Sequence, residues 1–456
     1  KDTTNKETLK KLQRTGDPFY SLLLDYRAVI KAKGTYADGT ERRMDDQDRI
    51  HPEPTFKPST GRLSYQNPNI TNVIADKSGK DNIAAGFRKC IVPFPSSRLL
   101  EVDFAGSEAV DTGWMIKDPN HIRLASLGLH SGLASYFLAE KYPKTWQPFD
   151  PTWSDADLGA YFRSIKESDD QEVREVYDGS KRFCHGFSYG LSEYGMVLQF
   201  PEFFRTLAIA EKYSALFRRL SPNMVPFHRA VRERAFTYHY LGGPGDVTKD
   251  RWAHPFGTKH WFWSVFQYKK ITSGQYWKII AICRKKGMLD DAAPVAVING
   301  QHFKIALGED GKRAVAFYGQ SITAGKLEVV MLRLFDSASP SYIGTIANGV
   351  TPLYAPIYDS LLLNIPTRVF DLVAETVFRE MQRPFAQMPC PLEWGFGPYL
   401  ATPISAKTGK VGASWADLEK LTVPKFSELG VASDRIMTSP VEDEAEDVED
   451  FAREIA

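Results

Sequence analysis

Cysteine is scarce in this chain. Its 456 residues include four, Cys90, Cys184, Cys283 and Cys390, set far apart with no Cys-x-x-Cys pair. That spacing excludes a disulfide framework and a spaced-cysteine zinc site, and points to a reduced, cytoplasmic protein. Long apolar runs are also missing. No stretch of 18 apolar residues and no secretory leader is found, so neither a membrane span nor a membrane partner is expected. No internal repeat is evident, which argues against a solenoid. An excess of one charge is lacking as well, the formal net charge being +1. With 43% hydrophobic residues the composition is that of a globular protein, and the length is enough for two or three subdomains.

The near-neutral balance hides a segregation. Residues 439–456 carry eight acidic side chains against Arg453, a net −7, which leaves about +8 on residues 1–438. The end is expected to be a disordered acidic tail, either inert or a guard against indiscriminate binding. The body is moderately basic, as suits a groove that contacts phosphate.

Three short segments carry chemistry. The run Lys181-Arg-Phe-Cys-His-Gly-Phe-Ser-Tyr-Gly190 predicts the end of a helix, with Lys181, His185 and Tyr189 at i, i+4 and i+8 in one row. A cation followed by flat rings suits a nucleotide, and the same row would also serve as an ordinary packing face. In Arg98-Leu-Leu-Glu-Val-Asp-Phe104 a buried strand is expected with Asp103 near its end. In Leu353-Tyr-Ala-Pro-Ile-Tyr-Asp-Ser-Leu-Leu-Leu-Asn364 a hairpin is expected, with Asp359 amid apolar residues. Either aspartate alone fits a strand-end cap or a turn. Together they suggest two strands meeting at a cation, because an isolated carboxylate in an apolar strand costs several kcal/mol. Oxygen ligands without a His/Cys cluster favour Mg²⁺ or Mn²⁺ over Zn²⁺.

Taken in order, these segments resemble the motifs of family A DNA polymerases, with a likeness to the bacteriophage type. Thr60-Gly-Arg-Leu-Ser64 and Asn67-Pro-Asn-Ile-Thr-Asn72 are similar to the family's TGRLSS…PNLQN segment. Asp103-Phe-Ala-Gly-Ser-Glu108 is similar to motif A, DYSQIE. The lysine helix is similar to motif B, RxxxKxxxFGxxYG. Gln320-Ser-Ile-Thr-Ala324 is similar to the QGTAA helix, and Tyr358-Asp-Ser360 stands where motif C has HDE. The ordered motifs span roughly Leu23 to Phe396. Four positions depart from the pattern. Tyr177 replaces the arginine four residues before Lys181, with Arg174 two turns away as its substitute. His185 stands where the family has Phe or Tyr, which leaves the family's discrimination against sugars lacking a 3′-hydroxyl open. Tyr358 and Ser360 replace His and Glu.

The resemblance implies an α+β, right-hand polymerase fold with an antiparallel palm sheet, helical fingers and only the end of a thumb. It implies residues 1–40 as that thumb end, 41–120 as the first part of the palm, and 121–311 as fingers with a β-rich insertion at about 238–311. Residues 312–438 would be the second part of the palm, followed by the tail. It implies DNA-directed DNA synthesis in replication, with primer–template DNA and dNTPs as partners. Two Mg²⁺ ions, or Mn²⁺, would be held by Asp103, Asp359 and the Phe104 backbone carbonyl. Lys181 would contact phosphate and protonate the leaving group. Arg174, His185 and Tyr189 would bind dNTP, and Glu108 would pack with Tyr189 against a 2′-hydroxyl. Arg62, Asn69, Asn72 and Gln320 would meet the minor groove, and Lys312 and Arg313 phosphate. The rest of a thumb and any exonuclease domain would lie before residue 1 or on a second chain, and a phage origin would place the protein in host cytoplasm. A single-subunit RNA polymerase or reverse transcriptase shares the two-metal palm, although Glu108 argues against the RNA polymerase. A non-catalytic DNA-binding subunit is the alternative of another class.

Between the motifs, helices are expected at Phe19–Lys33, Leu124–Tyr142, Ala156–Ile165, Pro201–Phe217, Met224–Ala235, Ala314–Leu332 and Val369–Gln382. Gly34–Gln66 reads as a Pro/Gly-rich loop. Hairpins are expected at 253–263, 271–277 and 295–303, where aromatics interleave with Lys259, Lys269, Lys270, Arg284, Lys285 and Lys286. That region fits either a grip on single-stranded template or a small β core with a solvated basic rim. Trp394–Leu400 and Ile404–Gly412 are expected to close the palm sheet.

Overall fold

The computed structural model describes residues 6–73 apart from 14, 57 and 59, then 87–104, 106–285, 294–346, 352–383, 385, 398–402, 414 and 419–421. In chain order its strands are β1 (Glu53–Thr55), β2 (Ser64–Gln66), β3 (Ser97–Phe104), β4 (Tyr240–Gly242), β5 (Lys259–Trp261), β6 (Phe266–Lys270), β7 (Val295–Ile298), β8 (Gln301–Leu307), β9 (Leu353–Ile357), β10 (Ser360–Pro366), β11 (Pro398–Thr402) and β12 (Glu419–Leu421). All strand pairings are antiparallel, and the strands stand among many helices, so the class is α+β. The chain divides into two compact units, one of Lys1–Ser107 with Thr323–Ala456, the other of Glu108–Ile322.

The first unit is built on a five-stranded sheet ordered β12-β11-β3-β10-β9. β10 (Ser-Leu-Leu-Leu-Asn-Ile-Pro) is apolar on both sides, and six of its seven residues are buried, as a central strand demands. Side chains alternate along β3. Leu100, Val102 and Phe104 share one side with Leu361, Leu363 and Ile365 of β10, and the helix Phe370–Gln382 packs against both strands. The other side carries Leu99, Leu362, Ala355 and Ile357, which cluster with Tyr65, Ile70 and Val73. The segment 60–73 is therefore laid on the sheet face that also bears Glu101 and Asp103.

In the second unit the helix Gln171–Ser188 buries Val173, Ser180, Phe183, Cys184 and Phe187. Phe183 and Phe187 stack at 5.3 Å, and Phe217 of the helix Leu207–Leu220 lies 5.2 Å from Phe187. Two small sheets, β4-β5 and β6-β8-β7, belong to this unit.

Several element boundaries differ from the sequence expectations. Leu124–Tyr142 is two helices, Pro119–Leu127 and Leu129–Lys141, broken at Gly128. Gly128 has φ +139°, and a Cβ there would lie 3.2 Å from Phe162, so both the backbone and the neighbour require glycine. The helix expected from Pro201 begins at Leu207, where the Thr206 hydroxyl accepts from the Ile209 amide. Ile271–Trp277 is not a hairpin; a helix, Ser273–Lys285, starts there. Thr272 Oγ1 accepts from the Gln275 amide at 3.2 Å while Gln275 Oε1 accepts from the Thr272 amide at 3.0 Å, a reciprocal capping box. Helical turns also continue from Lys33 to Glu41 into the expected loop. Residues 394–397, 404–412 and 439–456 lie outside the described residues, as does Lys286. Among the described residues no helix is long and apolar enough to cross a membrane.

Candidate active site

Register brings the two aspartates together. Ser360 of β10 lies opposite Asp103 of β3, and the Phe104 amide donates to the Asp359 carbonyl at 3.1 Å. Ile357 pairs with Ser360, so Tyr358 and Asp359 form a two-residue hairpin loop. Tyr358 there has φ +59°, a left-handed conformation held by the flanking ladder. The Ser360 hydroxyl lies 3.0 Å from the Ile357 carbonyl and 3.3 Å from Glu101 Oε1. A glutamate at 360 would face Asp103 across the ladder with Glu101 beside it, and like charges opposed in this way destabilise a sheet. Arg88 stands 3.9 Å from Glu101.

Arg62 belongs to this same place. Its guanidinium lies 5.7 Å from the Tyr358 ring. Burial lowers its pKa, and Asp359, then Tyr358, pull it back up. A guanidinium stays charged under such opposing influences, so Arg62 supplies a fixed positive charge beside Asp359. Asn69 uses its side-chain oxygen to cap the turn Ile70–Asn72, accepting from the Thr71 amide at 3.1 Å and from the Thr71 hydroxyl at 2.5 Å. Asn72 ends that turn.

Two residues that sequence reasoning passed over sit near these strands. Lys326 is fully buried within the helix Glu309–Phe335. Its Nζ donates to the Ser107 hydroxyl and lies 5.2 Å from the Phe104 ring, and Ser107 is 3.0 Å from the Thr323 hydroxyl. A buried ammonium thus underlies the end of β3. Glu328, one turn away from Ala324, lines a small cleft with Leu63, Met331, Pro356 and Tyr358, and burial raises its pKa. The signal for both was available: two charges inside the apolar repeat of Ala314–Leu332.

Among the described residues no group of three or more His, Cys, Asp or Glu side chains gathers closely enough to hold a metal ion. The carboxylates of Asp103 and Asp359 and the Phe104 main-chain carbonyl stand at one end of β3 and β10. All are hard oxygens, a set that fits Mg²⁺ or Mn²⁺ and does not suit Zn²⁺.

The second unit carries the lysine row. Arg174 and His185 are exposed, Lys181 and Tyr189 half-buried, and all lie away from the buried face of the helix Gln171–Ser188. The row is thus not the packing face. Arg174 Nε donates to the Ser168 carbonyl at 3.0 Å, which draws it to the helix start. Tyr189 caps the helix through its amide. His185 meets a partner that the sequence did not announce, His130 of the helix Leu129–Lys141, with ring centroids 4.9 Å apart. Tyr177 lies 6.2 Å from the same His130 ring. Although the residue is exposed as a whole, desolvation of the His185 ring, then Lys181 and Arg182, push its pKa down to about 4; burial first, then His185, Lys181 and Lys166, push His130 to about 3. Both imidazoles are neutral near pH 7, and Lys181 is the cation of the group.

Glu108 lies in the first turn of the helix Ser107–Met115. Its carbonyl accepts from the Thr112 hydroxyl at 2.7 Å. A Cβ at Gly319 would come within 2.6 Å of that hydroxyl and 3.2 Å of the Glu108 carbonyl. The missing side chain at Gly319 lets the two backbones approach, and Gln320 follows directly. Lys312, Ala316 and Gln320 form the more accessible row of their helix. Lys312 pairs with Glu309 at 2.5 Å, and Arg313 with Asp310 at 3.8 Å, both at the surface.

Three other histidines are structural. The buried His121, His228 and His254 bond the Ser221 hydroxyl (2.5 Å), the Ser188 carbonyl (3.0 Å) and the Ser321 hydroxyl (2.9 Å), respectively. Burial pushes their pKa values down to about 4, 4 and 3. An unfolded imidazole titrates near 6.5, so between pH 6.5 and about 4 the unfolded chain binds more protons. Stability must therefore fall as pH is lowered through that window and stay level above it. We expect denaturation at pH 5 to need less urea than at pH 7.5, by an amount worth on the order of 1–2 kcal/mol per histidine. An unchanged midpoint would mean that these rings are protonated when folded.

Parts of this chain are similar to known proteins. The model of DNA polymerase family A matches residues 1–126, which include the Asp103 strand. DNA polymerase I of Mycobacterium tuberculosis is 28% identical over 239 residues, 51% of this chain and 22% of that protein. Over these segments the chain is similar to DNA polymerases of family A. DNA polymerase theta of Drosophila melanogaster is 27% identical over 195 residues, 41% of this chain and 8% of that protein. The matches thus span less than a quarter of either curated relative. The solved POL domain of Pol1 from M. smegmatis, in complex with DNA primer-template and dNTP, superposes with a TM-score of 0.60 at 17% identity. It covers 91% of this chain and 56% of that one. The fold is that of this polymerase domain, in the α+β class.

Proposed function

We propose that this chain is a template-directed DNA polymerase that adds dNMP from dNTP to a primer 3′-hydroxyl during DNA replication. One observation carries the proposal: β3–β10 register sets Asp103 and Asp359 at the same end of adjacent strands. Phosphoryl transfer asks a protein mainly to position its reactants and to neutralise charge. Asp103, Asp359 and the Phe104 carbonyl would hold the cations. When bound there, divalent cations supply a lowered pKa for the 3′-hydroxyl and charge stabilisation for the departing pyrophosphate.

The remaining roles fall to this chain's own side chains. Lys181 binds the triphosphate and donates its proton to the leaving oxygen. Its amine titrates where a guanidinium does not, which suits it to both tasks. Tyr189 stacks on a base, and with Glu108 closes the space that a 2′-hydroxyl would need. Arg174 and His185 complete the nucleotide contacts. Arg62, Asn69, Asn72 and Gln320 donate to minor-groove acceptors, which are nearly alike for every correct pair, so they sense pair shape and not sequence. Lys312 and Arg313 meet backbone phosphate. We read the first unit as palm with the end of a thumb and the second as fingers.

Primer extension on a labelled hairpin DNA, with dNTPs or rNTPs and Mg²⁺, tests the proposal. Template-directed dNTP addition is expected. A strong rNTP preference would assign an RNA polymerase, and DNA binding without extension a non-catalytic subunit. In the same assay Glu108→Ala should raise ribonucleotide use at least tenfold, or about 1.4 kcal/mol, by removing the carboxylate from the sugar. Unaltered sugar selectivity would place the gate elsewhere.

A further inference from the structure

The hairpin β4–β5 displays a ladder of rings that the proposed chemistry does not use. Lys259 and Trp261 alternate along β5 and share one side, and Trp263 lies two residues beyond its end. Trp261 and Trp263 lie nearly parallel, 5° apart with centroids at 5.8 Å. His239 stacks on Trp263 at 5.2 Å, and Tyr240, directly across the ladder from Trp261, meets it edge-on at 5.4 Å. Cations stand among the rings: Lys259 Nζ is 4.1 Å from the Tyr240 centroid and 4.6 Å from that of Trp261, and Arg234 is 4.9 Å from Tyr238. Trp263 is 71% exposed, Tyr238 53% and Trp261 48%. Large rings bared to this extent are unusual without a partner.

The ladder is held rigidly from behind. Phe262, between the tryptophans, is fully buried beside Phe317, and its amide donates to the His239 carbonyl at 2.7 Å. The amides of Trp263 and Ser264 both donate to Asp310 Oδ2, at 2.8 and 2.9 Å. In the neighbouring sheet Lys269 and Lys304 are cross-strand partners and both are exposed. Like charges so opposed are costly, and an anionic partner would relieve them.

We infer that the β4–β5 face is a stacking surface for single-stranded nucleic acid, with bases on Trp261 and Trp263 and phosphates near Lys259. Flat exposed rings with interleaved cations match unpaired bases joined by phosphate, whatever the sequence. A duplex hides its base faces and cannot use them. Because the rings are already fixed, little side-chain freedom is lost on binding. The inference concerns binding and is read without any extension assay, so it stands or falls apart from the polymerase proposal.

Fluorescence anisotropy would test it on the full chain, with labelled oligo(dT) and oligo(rU) of roughly 12 nucleotides and a blunt DNA duplex. The double variant Trp261→Ala, Trp263→Ala should bind the single strands about 10- to 100-fold more weakly, with duplex affinity unchanged. The double variant Trp261→Phe, Trp263→Phe should keep most of the single-strand affinity, since a flat ring remains. A preference for oligo(dT) or oligo(rU) would identify the strand as DNA or RNA. Unchanged single-strand affinity in the alanine variant would overturn the inference. So would an equal loss on duplex, and so would a change confined to self-association of the chain.

Discussion

Asp359→Asn should cut template-directed extension by about 10³-fold or more, with DNA affinity unchanged. The substitution preserves shape: asparagine keeps the size of the side chain, and the Asp359 carbonyl that accepts from the Phe104 amide is unaffected. What disappears is one negative charge at the strand end. A 10³-fold loss corresponds to about 4 kcal/mol of barrier, the scale expected when charge stabilisation is removed from a two-metal phosphoryl transfer. Arg62 would then lack the carboxylate that raises its pKa. Asp103→Asn should behave alike, and the double variant should be little slower than either single one, because the two carboxylates act as a unit. Single-turnover extension, with thermal melts to exclude unfolding, makes the measurement. Near-normal rates in Asp359→Asn would remove this hairpin from the chemistry.

Lys181 is the second site of large effect. Lys181→Leu should slow nucleotide addition by about 10²–10⁴-fold, the range for loss of a positioned proton donor. Lys181→Arg separates the two roles assigned to the lysine. A guanidinium still holds phosphate, so KM for dNTP should move little, whereas kcat should fall steeply because guanidinium does not give up its proton. The neighbouring imidazoles sharpen this test. With His185 at about 4 and His130 at about 3, neither titrates between pH 6 and 9, so a limb in the rate profile that vanishes in Lys181→Arg belongs to the lysine. Equal kcat for lysine and arginine would leave Lys181 as a phosphate contact alone.

Much of this site was legible in the chain because its signals are local. The Leu99–Phe104 strand and the Leu353–Asn364 hairpin both appear, and each aspartate stands where an apolar run is interrupted. The lysine row follows from helical spacing and does lie off the buried face. Errors arose where two local signals competed. Ile271–Trp277 combined ring-rich composition with a Thr-x-x-Gln cap, and the cap prevailed by satisfying two amide donors at the helix start. At Gly128 a helical pattern continued through a residue whose conformation is set by Phe162, more than thirty residues away in the chain.

The sequence by itself determined that the chain carries two strand-borne aspartates and a Lys-His-Tyr row, in the order that family A polymerases share. These are properties of spacing and of the cost of burying charge, and they need no knowledge of distant partners. Only the tertiary structure decided what surrounds them. Arg62 came to lie beside Asp359, Lys326 beneath Phe104, and His130 against His185. It also turned a scatter of tryptophans into an ordered ladder. Each of these contacts joins residues whose proximity is set by strand register or helix packing, and a contact of that kind leaves no periodicity in the chain from which it could be read.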